Sequence, residues 1–177
     1  TRADVNIAAA HYHFGDKQKL YQATLEHCVE EHRKTFPLPA REDKGDPGEF
    51  LAEYICAILS RMTRTHQSEW RTALLNREMF TPSKEFVKFI SENCVGPDIV
   101  EFTATFRRIA PKASDEAIKT AVMGVIGMIC AYAMPVPLLK ATVPSQQLSL
   151  KQCKTIAQFI SHANIAGLLS LTGRKGP

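Results

Sequence analysis

Apolar residues recur along this chain at the three- and four-residue intervals of one helix face, and Pro, Gly and capping residues divide the pattern into segments. The first long helix is predicted over 16–36, where Leu20, Thr24, His27/Cys28 and Glu31 follow successive turns before Pro37 and Pro39 stop it. Residues 40–46 are charged and loop-like, and they mark the best boundary between a leading segment, 1–45, and a body, 46–177. Asp46-Pro47-Gly48-Glu49 reads as a capping box, with Pro at the first helical position. The helix that follows, to about residue 65, places Phe50, Leu51, Tyr54, Ile55, Ile58 and Leu59 on one side. Further helices are expected over 69–80 and through Phe86, Phe89 and Ile90. Gly96-Pro97 is expected to break the chain before a helix over 99–109.

The last two helices are the most apolar. Ser114-Asp115-Glu116 starts one whose stretch 121–134 carries no charge. With Gly124, Gly127 and a terminating Pro135, that stretch is too short for a bilayer span and reads as a helix buried on most sides. Ser149-x-x-Gln152 is a second capping box, opening a helix with Ile156, Phe159, Ile160, Ala163, Gly167 and Leu168. One small body struggles to cover both. Pairing them with the same helices of a second copy predicts a homodimer through a four-helix bundle. The competing reading is that both are internal core.

The leading segment carries the most specific motif. Asn6 suits an N-cap, and Ala10 and Phe14 lie one turn apart on a core-facing side that Val5 joins. Ile7, Ala8, Ala9, Tyr12 and His13 are left on the outer side. Gly15 permits a turn, Asp16 caps the next helix and Lys17 sets a cation beside it. Tyr12, His13 and Lys17 suit phosphate oxygens, and the smooth front of the helix suits close approach to base edges.

The run His11-Tyr12-His13-Phe14-Gly15-Asp16-Lys17, followed by Leu20 and Tyr21, resembles the end of the DNA-binding domain of TetR-family transcriptional repressors. The resemblance implies an all-α, TetR-like fold, with a remnant of a helix-turn-helix head and a helical body for ligand binding and dimerisation. It implies DNA-binding roles for Ile7, Ala8, Ala9, His11, Tyr12, His13 and Lys17. Two further helices precede this point in the family. The chain is therefore expected to lack part of its head and to bind a palindromic operator only in its full-length form. In the body, the run 74–83 and Val122-Met123-Gly124-Val125-Ile126-Gly127 resemble the C-terminal domain of CecR-like regulators across most of 46–171. That resemblance implies an effector cavity. Trp70, Leu74, Met79, Phe80, Phe106, Met123 and Met128 are its candidate lining, and core packing is the simpler reading of each. Arg77 and Glu78 form either a polar pair in that cavity or a surface ion pair.

Composition adds limits. Of 177 residues, 45% are hydrophobic and 23% charged, in the ordinary range for a globular chain, and the net charge of +4 permits nucleic-acid contact without requiring it. Cys28, Cys56, Cys94, Cys130 and Cys153 are scattered without a C-x-x-C pair. They read as reduced thiols of a cytoplasmic protein. No signal peptide is visible, and no membrane partner is expected. His11-x-His13 splits its side chains to different sides of a helix, and Cys28–His32 supplies two ligands where a closed zinc site needs four. No metal, cofactor or catalytic residue is expected, and no nucleotide or hydrolase fingerprint occurs. The sequence thus predicts a dimeric, ligand-responsive repressor of double-stranded DNA, released by a small apolar or amphipathic effector. The alternative is a helical interaction module, or a small-molecule binder that does not touch DNA.

Overall fold

A turn at Gly15 opens the described fold, its φ of +80° lying in the left-handed region where a side chain is strained. A computed structural model describes residues 12, 14–40, 45–63, 74, 77–78, 81–133 and 148–173, and the side chain of His32 is not among them. The described residues contain helices and no strand. Helix α1 is Lys17–Thr35, α2 Pro47–Thr63, α3 Lys84–Ile90, α4 Gly96–Ile109, α5 Asp115–Ala133 and α6 Leu150–Thr172. A π-helical turn, Ser91–Val95, joins α3 to α4.

Most of the predicted punctuation acts as expected. Asp16 Oδ1 accepts from Lys19 N–H at 2.8 Å, and Asp46 Oδ1 accepts from Gly48 and Glu49 N–H, both at 2.8 Å. These bonds satisfy first-turn donors that the helix itself cannot. Ser149 forms the full capping box with Gln152. Ser114 Oγ accepts from Ala117 N–H at 3.2 Å at the head of α5.

Gly96-Pro97 does not break the chain. Val95 and Gly96 both keep right-handed helical angles, and Gly96 N–H donates to Ser91 O, five residues back. The extra residue per turn makes room for Pro97, which has no N–H to offer Asn93 O four residues earlier. A Cβ at Gly96 would lie 2.6 Å from Ser91 O, so the turn also requires a glycine there.

The core lies between α2, α4, α5 and α6. Leu51, Ile55, Leu59, Phe102, Phe106, Val125, Cys153 and Ile160 are essentially sealed from solvent. Tyr54 packs its ring between Phe50 (centroids 5.7 Å apart) and the edge of Phe102 (5.4 Å). The most extensive helix pairing is α2 on α6, followed by α5 on α6. Ser161 Oγ fixes the first pair by donating to Gly48 O at 3.1 Å.

Helix α5 is less enclosed than its sequence suggests. It is long and apolar enough to span a bilayer by length and composition. Ala117, Ile118, Ala121, Val122, Val125 and Ile129 are buried against the body as a core helix's would be. Met123, Gly127, Ala131 and Tyr132 are open on the other side, so α5 is buried on one face and not on most sides. On α6, Phe159, Ala163, Ala166 and Gly167 are open in the same way.

Candidate functional site

Three regions bear on function: the N-terminal end of α1, the seam joining α1 to the body, and the outer faces of α5 and α6. Ile7, Ala8, Ala9, His11 and His13 lie outside the described residues. Tyr12 is 86% exposed and Lys17 is also exposed, one on each side of the Gly15 turn that precedes α1. Phe14 and Leu20 are also exposed at this end.

Helix α1 is anchored to the body mainly by polar contacts. Among its described side chains only Leu25 and Cys28 are buried. Near its start, Gln18 Nε2 donates to Glu85 Oε1 on α3. One turn further, Tyr21 Oη donates to Glu78 Oε1 at 2.5 Å. The other carboxylate oxygen, Glu78 Oε2, accepts from both Ser83 N–H and Ser83 Oγ at 2.8 Å. Ser83 in turn caps α3 by accepting from Phe86 N–H at 3.2 Å. Toward the far end, Arg33 donates to Asn93 O, the carbonyl left without a Pro97 N–H, and reaches Cys94 Sγ at 3.4 Å. Arg61 Nε of α2 donates to Phe36 O at 2.5 Å, just past the end of α1.

Glu78 is only 2% exposed, unusual for a carboxylate. Burial works to raise its pKa, but the bonds from Tyr21 and Ser83, with Arg77 nearby, outweigh it and hold the group below the usual carboxylate range. Arg77 itself is exposed. The expected Arg77–Glu78 pair is therefore a weak through-space attraction, and the bonds to Glu78 come from Tyr21 and Ser83.

A second polar group lies beneath the π turn. Tyr54 Oη donates to Asp98 Oδ1 at 2.9 Å. Desolvation pushes the Asp98 carboxyl up, although Tyr54, Arg61 and Arg33 pull the other way. Burial and the Asp98 charge push the Tyr54 phenol well up, and burial also raises the Cys94 thiol. Neither the Tyr21–Glu78 contact nor the Tyr54–Asp98 contact could be found from local spacing, since the paired residues are 57 and 44 positions apart.

The expected effector residues separate. Trp70, Met79 and Phe80 lie outside the described residues. Leu74 is half-buried and Arg77 is exposed. Phe106 is sealed in the core, whereas Met123 is 55% exposed on the outer face of α5. Met128 is half-buried, its Sδ accepting from Asn164 Nδ2 at 3.4 Å. Met123 and Met128 are five positions apart, roughly 140° around a helix, so they cannot share a wall with each other. A cleft of about 830 Å³ does open elsewhere, between the start of α2, the end of α4 and the middle of α6. Its lining includes Glu49, Glu53, Arg108, Ile109, His162 and Ile165, and none of the expected effector residues.

Asn164 also settles how close α5 and α6 come. Its Nδ2 donates to Ile160 O at 2.9 Å, and a Cβ at Gly124 would meet its Oδ1 at 2.2 Å. Gly124 is thus a contact glycine within the chain. A Cβ at Gly127 or Gly167 would meet nothing within 4 Å.

The model of the C-terminal domain of the HTH-type transcriptional dual regulator CecR matches residues 47–170, the span from the first residue of α2 almost to the end of α6. No curated protein matches the chain.

Proposed function

Because the chain belongs to the family of CecR C-terminal domains, we propose that it is part of a TetR-type transcriptional regulator that binds double-stranded operator DNA as a homodimer and releases it when a small apolar or amphipathic effector occupies the body. The family match over 47–170 carries this reading. Helix α1 supports it, because it joins an end bearing Tyr12 and Lys17 to a body built from α2 to α6. Ile7, Ala8, Ala9 and His11 are assigned to the base-facing side, and Tyr12, His13 and Lys17 to phosphates. No residue is assigned a catalytic role.

For the effector, we assign the segment carrying Trp70, Leu74, Arg77, Met79 and Phe80. It adjoins Glu78, which grips α1, so a ligand packed there acts on the helix that leads to the DNA end. Phe106, Met123 and Met128 are candidates on residue type. Their positions suit core support and the outer face of α5 better. The open apolar faces of α5 and α6 support the homodimer, as burying each large apolar side chain contributes about 1.5–3 kcal/mol.

The switch must be differential: an effector shifts the population only by binding the DNA-incompetent state more tightly. The test uses protein bearing a complete helix-turn-helix head N-terminal to Lys17. A hydrophobic fluorophore bound in the body is displaced by candidate ligands, and the same ligands are added to a mobility-shift assay. Ligands that displace the dye should also weaken operator binding. Displacement with operator affinity unchanged for every ligand would contradict the reading.

A further inference from the structure

Among the described residues, helix α1 is held by several hydrogen bonds and only two fully buried apolar side chains, and this makes it releasable. Leu25 and Cys28 are its buried anchors among the described side chains. By contrast α2 buries Phe50, Leu51, Tyr54, Ile55, Cys56 and Leu59. Detaching an apolar face costs the transfer free energy of every side chain exposed. Detaching a hydrogen-bonded one exchanges protein partners for water, at a small net cost per bond.

One of these contacts differs from the rest. The Gln18–Glu85 contact is solvent-exposed, and the Arg33 and Arg61 contacts to Asn93 and Phe36 end on backbone carbonyls, which have no side-chain torsion to turn. Glu78 is a buried side chain with rotatable bonds, and it holds two elements at once, α1 through Tyr21 and the start of α3 through Ser83. Its Oε1 has Tyr21 as its donor, and its Oε2 is saturated by the two Ser83 donors. A rotation of Glu78 therefore surrenders Tyr21 first, and with it the first half of α1. The surrounding helices α2, α4, α5 and α6 take no part in the contact, so they need not rearrange.

We propose that the Tyr21–Glu78–Ser83 cluster is a latch: Glu78 holds the N-terminal half of α1 against the body in one state and frees it in another, without disturbing the α2–α4–α5–α6 core. As a regulatory device this rests on the function proposed above. Its physical test needs neither DNA nor effector, so failure of the latch and failure of that function are told apart.

The test is amide hydrogen exchange across the whole chain, comparing wild type with Tyr21→Phe, which removes one hydroxyl and keeps the ring. Exchange in peptides covering residues 17–27 should rise at least about tenfold, as expected for the loss of one hydrogen bond to a charged carboxylate, while α2 and α6 keep wild-type rates. In a Glu78→Ala background, where the acceptor is already gone, Tyr21→Phe should add nothing further. Glu78→Gln keeps an acceptor for Tyr21 but puts an amide against the Ser83 donors if the first bond is kept, so it should give an intermediate rise. Unchanged exchange over 17–27 in Tyr21→Phe would overturn the proposal. A rise of equal size in α2 and α6 would also overturn it, because the bond would then be an ordinary support of the whole fold. Additive effects of Tyr21→Phe and Glu78→Ala would overturn it as well.

Discussion

Among the described residues, the buried Glu78 carboxylate and the half-buried Asp98 carboxylate are perturbed in opposite directions, and the balance of donors against desolvation sets each direction. Glu78 receives Tyr21 and two Ser83 donors, so its folded-state pKa lies below the ordinary value. Its contribution to stability is therefore present above the unfolded pKa and is lost as pH falls through the folded one. Asp98 accepts from Tyr54 and is desolvated, and desolvation prevails, so its pKa lies above the ordinary value. The charged form carries a cost that disappears as pH falls through that raised pKa. Asp98→Asn keeps an acceptor for Tyr54 and removes the charge. It should match or exceed wild-type Tm at pH 7, and the advantage should shrink as pH is lowered through the raised pKa. Thermal melts of both proteins across that range check the sign, and an advantage that grew on acidification would contradict it. At the exposed end, Lys17→Ala in protein with a complete head should weaken binding to all DNA sequences and reduce the salt slope by about 1, as for the loss of one phosphate contact. Wild-type affinity at every salt concentration would remove Lys17 from the phosphate set.

At the scale of elements, two glycines on α5 make a matched pair. Gly124 is filled from the side by Asn164, whereas Gly127 faces open space within the chain. Gly124→Ala must displace Asn164 from Ile160 O and Met128 Sδ, at about 1–2 kcal/mol, read as a lower denaturation midpoint. Gly127→Leu should leave the fold of a single chain unchanged and weaken self-association, because the bulk is added to the face proposed to meet a partner. Equal loss of monomer stability in both variants would place Gly127 inside the chain's own core. The helix ends were legible in the sequence because caps and prolines act within four residues: Pro37, Asp46-Pro47 and Ser149–Gln152 all mark boundaries correctly. Gly96-Pro97 misled for the same reason. Local rules read the pair as a break, while the chain satisfies it with a π turn and an arginine from a helix 60 residues away. The grip on Glu78 was equally hidden, since Glu78 meets Tyr21 only once the fold exists and Arg77, its neighbour in sequence, was the nearer candidate.

For the molecule as a whole, the resemblance read from residues 46–171 agrees with the family match over 47–170, and the all-α fold agrees with the helical periodicity. The cavity lining was less legible. Residue type selected Phe106 and Met123, but a large apolar side chain suits a core, a cavity and an interface equally, and burial separates them only in three dimensions. The proposed homodimer places the outer faces of α5 and α6 against their own copies. Ala163→Glu, at an open position on α6, should then bury an unpaired charge and cost several kcal/mol of association. Light scattering at micromolar concentration should report twice the chain mass for wild type and a monomer for this variant. The account's central claim is that a symmetric pair of these bodies positions two DNA-reading heads. The most direct measurement is a footprint of protein with a complete head on its selected DNA, with complex stoichiometry determined in parallel. The account predicts one dimer protecting a palindrome whose half-sites lie one helical turn, about 34–36 Å, or a multiple of it apart. Sequence-independent binding, or protection of a single half-site by one chain, would contradict it.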